Sequence, residues 1–380
     1  MSQKQKSKIL YIITKLELGG AQKLVLYSAE NLDKSKFDTY LCAGKGGLLK
    51  SDIKDDKIFY AKNLVRQISP VRDIFAVFEL AKIIKQIKPN IVHTNSSKAG
   101  ILGRIACKFS GLKDTKVVHT FHGFGFNSKQ FFLIRYFYIW IEKLFAHFAD
   151  TLIFVSKDNM ETAQKYKIGK RNKHKLIRVG IEFETVNINK SEKLKELGIK
   201  ENAKIITSIG NFKLQKNPLH FVKIANEVLK KHPNTYFLFI GDGELRKKTE
   251  KLIKHFDISK NCKLLGWRKD GAEILSISHL YIMTSLWEGL PMTLVEAFNQ
   301  HLPSICYGTD GVNDILTTGH NGFLVERKNW QQSARYISKV LEDENLYEHL
   351  KQNVEGMNLE EFKIENMLKQ TEILYTDLIK

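Results

Sequence analysis

Cysteine is scarce in this sequence, and its placement excludes two kinds of structure. Only four cysteines occur in 380 residues, at positions 42, 107, 262 and 306. Such wide spacing forms neither a disulfide framework nor the paired ligands of a zinc site, and it fits a reducing compartment. Long apolar runs are also missing, because no segment reaches the ~18 uninterrupted apolar residues of a membrane-spanning helix. The first apolar run, Ile9 to Ile13, is too short for the core of a signal peptide and is predicted as a strand.

Positive charge is abundant but unevenly distributed. The net charge is +19, and residues 1–180 hold 33 Lys and Arg against 14 Asp and Glu, whereas the remaining 200 residues hold 27 of each sign. A basic half of this kind indicates an anionic partner: a membrane surface, a nucleic acid or a phosphorylated substrate. A lysine-rich genome is the alternative explanation, but it would have enriched both halves. The sequence has no helix-turn-helix, zinc or RNA-binding sheet motif, so a nucleic-acid-binding protein is the less favoured interpretation.

Short apolar runs alternate with helical patterns throughout the chain, which is typical of doubly wound parallel sheets. In the first half the predicted strands are 8–14, 37–42, 90–94, 116–121 and 151–155, and the predicted helices are 20–31, 71–88, 98–110, 131–148 and 157–167. In the second half the predicted strands are 204–210, 235–240, 262–265, 279–283, 303–306 and 322–325, and residues 329–378 are predicted to be helical. We therefore predict an α/β fold with two Rossmann-like domains facing a cleft. The domains are residues 1–182 and 183–359, with the polar stretch 182–202 as a connection and a helix of about residues 360–380 packing back on the first domain.

The segment from Trp287 to Ala297 carries the strongest functional pattern. It follows an apolar run predicted as a buried strand, and it places Glu288 and Glu296 eight residues apart around a Gly-Leu-Pro turn. Pro291 suits the first turn of a helix, because its fixed φ is already helical and its missing N–H would be unpaired there. Glu288 would then face a helix N-terminus, which also attracts phosphate. Taken alone, the same spacing fits a helix cap and a solvated face; with the surrounding pattern, it predicts a sugar-nucleotide site.

Glycines recur where the predicted strands end. In parallel sheets ligands bind at the carboxyl ends of strands, so a backbone that approaches a ligand there favours glycine. One such glycine is usually only turn chemistry, but five groups at equivalent strand ends favour ligand contact. The groups are Gly19-Gly20, Gly210, Gly241-Asp242-Gly243, Gly266 and Gly289.

These motifs together resemble the family 4 glycosyltransferases, which have the GT-B architecture. The specific part is the Glu-x7-Glu pattern at Glu288 and Glu296, and the resemblance covers Lys8 to about Phe323. Supporting motifs are Ser208-Ile209-Gly210 with Lys216, Gly241-Asp242-Gly243, Leu265-Gly266, Asn321-Gly322-Phe323 and Gly19-Gly20-Ala21-Gln22. The segments His93-Thr94, Ser97-Lys98-Ala99-Gly100 and His119-Thr120-Phe121-His122-Gly123-Phe124 resemble the subgroup that builds bacterial surface polysaccharides and lipid-linked oligosaccharides.

The resemblance implies a retaining hexosyltransferase that uses a nucleotide sugar, here a UDP-sugar carrying a hexose or N-acetylhexosamine, without a metal or other cofactor. It implies that Glu288 contacts the donor sugar near the anomeric centre, Glu296 binds the ribose hydroxyls and Lys216 neutralises the diphosphate. His122 would stabilise the reacting centre, and we favour it over His119 because it precedes a glycine at a strand end. Donor-binding positions are Gly210, Lys213, Lys216, Gly241, Arg268, Gly289, Leu290, Pro291, Met292, Thr293 and Glu296, and Gly19, Gly20 and Gln22 form the acceptor or phosphate loop.

Four positions depart from the family pattern. The arginine that usually follows the glycine at Gly210 is Asn211 here, and Lys213 is the candidate substitute, although it lacks the guanidinium fork. The other departures are His279, Asn95 and Asp314, each at a position where the family usually has another polar or charged residue. A sugar-nucleotide epimerase shares the architecture and is an alternative function, but the Glu-x7-Glu pattern disfavours it.

The segment 129–148 is dense in aromatic residues with Lys129, Arg135, Glu142 and Lys143 interspersed. It is predicted either as an interfacial helix on anionic lipid or as a helix buried against the sheet. The first alternative agrees with the basic first half and with an acceptor on a lipid carrier. On that interpretation the protein is cytoplasmic and peripherally associated with the inner face of the cell membrane, its partners are a nucleotide sugar, a lipid-linked glycan and anionic lipid, and nucleic acid is not among them.

Overall fold

Parallel β-sheets form the framework of both halves of the chain. The computed structural model describes residues 6–17, 19–47, 49, 51–126 and 130–380. The chain divides into two units: residues 1–180 with 361–380 form unit 1, and residues 181–360 form unit 2. Each unit is built on a doubly wound parallel sheet, which confirms the predicted α/β class.

Unit 1 contains a seven-stranded sheet within the described residues, in the order β3-β2-β1-β4-β5-β6-β7. The strands are β1 (Ser7–Ile13), β2 (Phe37–Gly44), β3 (Ile58–Ala61), β4 (Ile91–Asn95), β5 (Lys116–Phe121), β6 (Thr151–Phe154) and β7 (His174–Leu176). Residues Ile9 to Ile13 are all buried, as expected of a central parallel strand covered on both faces. The edge strands β3 and β7 were not predicted, because they have only four and three residues and β7 has a single aliphatic side chain. The strand order changes direction between β1 and β4, which makes their carboxyl ends the expected ligand crevice of unit 1.

The helices of unit 1 include one from the far end of the chain. They are α1 (Gly20–Asn31), α2 (Pro70–Ile87), α3 (Ser97–Ser110), α4 (Phe132–Phe145), α5 (Lys157–Lys165) and the last helix, Ile364–Ile379, labelled α14. Contacts between helix α14 and unit 1 include two hydrogen bonds from backbone amides of unit 1. The Asp33 N–H donates to Glu372 Oε1 at 2.7 Å, and the Gly180 N–H donates to Met367 Sδ at 3.3 Å.

The aromatic segment 129–148 forms helix α4 followed by a short 3-10 turn at 146–148 rather than one continuous helix. Lys129 lies outside the described residues. Within α4 only Ile139 and Glu142 are buried, and most of the aromatic side chains are exposed. The alternative that this helix is core is therefore wrong. None of the helices in the described ranges is both long and apolar enough to cross a membrane.

Unit 2 contains a second parallel sheet, in the order β10-β9-β8-β11-β12-β13. Its strands are β8 (Lys204–Ile209), β9 (Thr235–Ile240), β10 (Cys262–Gly266), β11 (Leu280–Met283), β12 (Ser304–Tyr307) and β13 (Gly322–Val325). Its helices are α6 (Lys190–Glu196), α7 (Pro218–Leu229), α8 (Arg246–His255), α9 (Gly271–Ser276), α10 (Met292–Asn299), α11 (Asp310–Asn313), α12 (Trp330–Glu342) and α13 (Glu344–Glu355). The order changes direction between β8 and β11, so the loops after these two strands meet at one crevice.

The stretch 182–202 is more than a connection. It contains α6, which Asn189 caps by accepting hydrogen bonds from the backbone of Ser191 and Glu192. Leu194 on this helix is buried in a cluster with residues of β8 and β9. Leu194 is the one buried apolar residue of α6, and the other residues of the helix are polar or charged. The segment therefore lacks the repeated apolar positions from which a helix is predicted.

Candidate functional site

Two loops at the switch point of unit 2 are joined by hydrogen bonds. One follows β8 and the other follows β11. The Leu286 N–H donates to the Gln215 carbonyl at 2.7 Å, and Gln215 Nε2 donates to the Trp287 carbonyl at 2.9 Å. Thr284 Oγ1 donates to the Lys216 carbonyl at 2.9 Å. These bonds fix the positions from which Lys216 and Glu288 project.

Lys216 and Glu288 form an ion pair. Lys216 Nζ lies 2.6 Å from Glu288 Oε1, and the side chains are 18% and 8% exposed. The predicted phosphate-binding cation and the predicted sugar-binding carboxylate are therefore in direct contact. Lys216 and Glu288 are 72 positions apart in the chain, and they meet because the loops that carry them follow the neighbouring strands β8 and β11.

Close backbone approach explains the glycines beside this pair. Gly241 has φ +133°, and a Cβ there would lie 2.1 Å from the Gly210 carbonyl oxygen. A Cβ on Gly210 would press on the Lys216 side-chain stem at 3.2 Å. The two glycines therefore allow the ends of β8 and β9 to converge and leave room for the Lys216 stem.

Helix α10 begins one residue later than predicted. Pro291 is its N-cap, with extended ψ of 101°, and Met292 is the first helical residue. Proline suits the N-cap and the first helical position equally, because its missing N–H would have no helical partner at either one, so its presence does not distinguish the two starts. The turn before the helix is held by the Gly311 N–H, which donates to the Gly289 carbonyl at 2.9 Å. Leu290 is buried beside it.

The two carboxylates of the Glu-x7-Glu pattern influence the same buried phenol. Burial raises the pKa of Tyr281 well above its usual value, and Cys306, Glu296 and Glu288 raise it further. The Tyr281 hydroxyl donates to Thr293 Oγ1 at 2.8 Å and thereby ties β11 to α10. Thr293, predicted as a donor contact, thus has a packing role as well.

The other two predicted donor cations differ in their partners. Arg268 Nε donates to Asp270 Oδ1 at 2.7 Å, and its Nη2 donates to both Asp270 and Glu196. These bonds hold the pKa of Asp270 well below its usual range. Lys213, in contrast, has no side-chain hydrogen bond or ion pair with any described residue, and it lies three positions before Lys216. The donor-binding roles of both residues stay predictions.

His122 lies at the carboxyl end of β5 in unit 1, next to Asn95 at the end of β4. Their side chains are joined by a hydrogen bond of 2.9 Å between His122 Nε2 and Asn95 Oδ1. Desolvation lowers the pKa of His122 to about 4, so its imidazole is neutral at pH 7. His119 is buried against Gly100, and its Nδ1 lies 3.0 Å from Thr94 Oγ1, which is a packing position. The preference for His122 as the reactive histidine stays a prediction.

A buried polar chain supports this part of unit 1, and sequence reasoning missed it. His93 Nε2 lies 2.7 Å from Thr120 Oγ1, and His93 Nδ1 lies 2.5 Å from the Tyr375 hydroxyl. The Tyr375 hydroxyl in turn donates to the Tyr11 hydroxyl at 3.0 Å. A small cavity of about 40 Å³ lies beside His93, Asn95 and His122. Polar residues at strand ends are a usable sequence signal for Asn95 and Thr120, but no local signal points to Tyr375.

The predicted acceptor or phosphate loop precedes α1. Gly19 is the N-cap of this helix, and its backbone is extended, with φ −164°. Gln22 folds back over it, with Oε1 2.5 Å from where a Gly19 Cβ would lie, and Gly20 is exposed at the helix start. Because the end of the Gln22 side chain can move aside and the Gly19 backbone is extended, the structure itself does not require glycine at this position. Leu18, just before it, lies outside the described residues.

No group of three or more His, Cys, Asp or Glu side chains suited to a metal ion occurs in the ranges that the structure describes. Phosphate binding by Lys213, Lys216 and the start of α10 stays a prediction.

Two doubly wound parallel sheets in one chain are the architecture of the GT-B class. The chain belongs to glycosyltransferase family 4: the model described as Glycosyltransferase Family 4 matches residues 18–184, and the model described as Glycosyl transferases group 1 matches residues 189–357. His122 lies in the first match, and the Lys216–Glu288 pair lies in the second.

Two sequence relatives and one solved structure match nearly the whole chain. A UDP-Gal:α-D-GlcNAc-diphosphoundecaprenol α-1,3-galactosyltransferase of Escherichia coli is 32% identical, over 98% of each chain. A capsular polysaccharide biosynthesis glycosyltransferase of Staphylococcus aureus, CapM, is 23% identical, also over 98% of each chain. The structure of Anabaena HepE in complex with UDP and glucose has a TM-score of 0.82 at 17% identity, covering 98% of this chain and 100% of that one.

Proposed function

We propose that this glycosyltransferase transfers a hexose or N-acetylhexosamine from a UDP-sugar to a lipid-linked glycan, with retention of the anomeric configuration and without a metal ion. The observation that carries the proposal is the Lys216–Glu288 pair at the switch point of unit 2. A lysine in this crevice suits a diphosphate, and a carboxylate beside it suits the hydroxyls of the attached sugar.

The charges of the site support transfer without a metal ion. The negative charge of the leaving diphosphate grows as the glycosidic bond breaks, so cations aimed at it stabilise the transition state. Lys216 and Lys213 supply two such cations from the loop after β8, and the free N–H groups at the start of α10 add to them. Glu296, four residues into α10, is the proposed partner of the ribose hydroxyls. Family membership supports retention.

The acceptor proposal rests on the relatives and on unit 1. The E. coli relative is named for an activity on a diphosphoundecaprenol-linked sugar, and it matches 98% of this chain. Such an acceptor has a lipid tail and a diphosphate, which suits the basic residues of the first half. We assign acceptor binding to unit 1 and donor binding to unit 2.

The surface of unit 1 supports attachment to a membrane. Most of its large exposed apolar residues lie on α2, α3 and α4, which pack side by side in that order. We define the aromatic surface as Val71, Ile74, Phe75, Phe78, Phe109, Phe132, Leu133, Tyr136, Phe137 and Trp140. Positions 71, 74, 75 and 78 follow helical spacing, so they form one stripe on the exposed side of α2.

Exposed basic residues lie on two of the same helices, at Arg72, Lys82 and Lys85 of α2 and at Lys143 of α4. Apolar residues with bases beside them suit the interface of anionic lipid, and we propose the cytoplasmic face.

Activity is tested by incubating the protein with a panel of UDP-sugars and lipid-linked acceptors and measuring products by mass spectrometry. We expect a product that needs both substrates, survives EDTA and shows a retained anomer by NMR. Glu288→Gln should lower the rate at least ~100-fold, since it removes a group at the reacting centre. Full activity of that variant would disprove the assigned role, and conversion of the UDP-sugar without an acceptor would favour an epimerase.

Membrane attachment is tested separately by sedimentation with phosphatidylglycerol vesicles at low and high salt. We expect binding that weakens with salt and falls about tenfold in Trp140→Ser. The matched control is Trp267→Ser in unit 2, because Trp140 and Trp267 are both 58% exposed and only Trp140 belongs to the aromatic surface. Equal loss in both variants, or no binding by the wild type, would contradict the proposal.

A further inference from the structure

Lys216 is held by its surroundings at both ends of its side chain. Gly210 packs against the stem, and Glu288 Oε1 holds the ammonium at 2.6 Å. The backbone of Lys216 is also fixed, because its carbonyl accepts the Thr284 hydroxyl. A new anion that binds this ammonium must therefore share it with Glu288.

Glu288 is equally restricted. Its side chain is 8% exposed, so the carboxylate has little room to turn toward water when Lys216 leaves it. A buried carboxylate without its partner is costly, because desolvation disfavours its charge. Any anion that takes Lys216 away from Glu288 must offset that cost.

We propose that Glu288 sets the preference of this site for a nucleotide sugar over the bare nucleoside diphosphate, by competing for Lys216. This inference rests on the proposed donor. A bare diphosphate draws Lys216 away and leaves the Glu288 carboxylate without a partner. A diphosphate that carries a sugar supplies hydroxyl donors to the same carboxylate, so both groups stay paired. Glu288 thereby weakens the binding of the product diphosphate and favours its release.

The experiment is calorimetric titration of the full-length protein with UDP, and with GDP and ADP to allow for another base. Glutamine at position 288 has nearly the shape of glutamate but no negative charge, so Lys216 loses its ion-pair partner and is available to the diphosphate. We therefore expect UDP to bind about three- to tenfold more tightly to Glu288→Gln. Glu288→Asp, whose shorter side chain withdraws from Lys216, should shift the affinity in the same direction and guards against a folding defect in the glutamine variant. The matched control is Glu227→Gln, which breaks the exposed 2.7 Å pair with Lys230 on α7 and should leave UDP affinity unchanged.

A second pair of variants shows whether the effect passes through Lys216. Lys216→Met should weaken UDP binding, and adding Glu288→Gln to it should change the affinity by less than about twofold, since the competed cation is gone. The inference is overturned if Glu288→Gln and Glu288→Asp bind UDP as the wild type does or more weakly. It is also overturned if the gain persists undiminished in the Lys216→Met background. Failure of the wild type to bind UDP, GDP and ADP would instead overturn the proposed donor class.

Discussion

The Tyr375 hydroxyl lies 2.5 Å from His93 Nδ1, although the two residues are 282 positions apart. Tyr375 belongs to helix α14, and His93 belongs to β4, one of the two strands at the switch point of unit 1. This bond connects the end of the chain to the strand that also carries Asn95, the partner of His122. The last helix is thus part of the structure that supports the strand ends of unit 1.

Removing this hydroxyl should destabilise unit 1. In Tyr375→Phe both His93 and the Tyr11 hydroxyl lose a buried partner, and we expect unfolding free energy to fall by about 1–3 kcal/mol. Urea denaturation measures the change. Tyr136→Phe on α4 is the control, because that tyrosine is 60% exposed, and it should stay within about 0.5 kcal/mol of wild type. An equal effect of both substitutions would contradict the role of Tyr375.

Stability should depend on pH through His93. Burial lowers the pKa of His93 to about 3 in the folded protein, from the usual 6.5. The unfolded chain therefore binds more protons than the folded chain between these values, and stability rises with pH. The contribution of His93 is complete above about pH 6.5 and is lost as pH falls toward 3. Its slope reaches about 1.4 kcal/mol per pH unit.

The check is a series of urea denaturations from pH 7.5 to pH 4. Carboxylates also titrate in the lower part of this range, so the comparison is between variants. His93→Gln should reduce the slope between pH 6.5 and 5, whereas the exposed His320→Gln should not. The same slope in His93→Gln and wild type would refute the assignment.

The backbone contact between Gly241 and Gly210 should tolerate no side chain. Gly241→Ala would place a methyl group 2.1 Å from the Gly210 carbonyl at φ +133°, and we expect a loss of at least about 2 kcal/mol and weakened UDP binding. Gly319→Ala is a control for backbone strain alone, because Gly319 has φ +78° with no atom within 4 Å of a Cβ. Its loss should be about 1 kcal/mol, with UDP binding unchanged. Similar losses in both variants would show that the contact is unimportant.

The buried ion pair of Arg104 and Glu142 should hold the exposed helix α4 in place. Arg104 Nη2 lies 2.9 Å from Glu142 Oε2, and the side chains are 0% and 4% exposed. Glu142→Gln leaves the Arg104 charge without a buried counter-ion, so we expect a loss of about 3–5 kcal/mol in urea denaturation.

Replacing both members with methionine, in Arg104→Met with Glu142→Met, should recover most of that loss, because no buried charge remains. The exposed pair Lys351–Glu355 is the control, and Glu355→Gln should cost less than about 1 kcal/mol. A double variant as unstable as Glu142→Gln would argue against the ion pair.

The candidate site of unit 2 was largely predictable because its parts are local motifs at strand ends. Glu288, Gly289 and Pro291 lie in one turn, and Lys216 lies six residues after Gly210. In a doubly wound sheet such turns meet at the switch point, so their proximity follows from the strand order alone. The direct bond between Lys216 and Glu288 did not follow, because side-chain pairing depends on loop conformation.

The partners of the predicted residues were much less predictable. Asn95 departs from the family pattern, and no sequence motif indicates that its side chain forms a hydrogen bond with His122. Arg268 was predicted as a donor contact, and its charge is shared with Asp270 and Glu196, a residue of the unpredicted helix α6.

The sequence by itself determined the two parallel sheets, the glycosyltransferase class and the positions of Glu288, Lys216 and His122. Apolar periodicity and strand-end glycines are properties of neighbouring residues in the sequence, so they do not depend on how side chains pack in the folded protein. Only the tertiary structure decided that Lys216 is paired with Glu288, that Tyr375 supports His93 and that the aromatic residues of α4 are exposed. Each of these depends on contacts between segments far apart in the chain. The apolar residues nearly surround α4, so its sequence pattern was compatible with either burial or exposure.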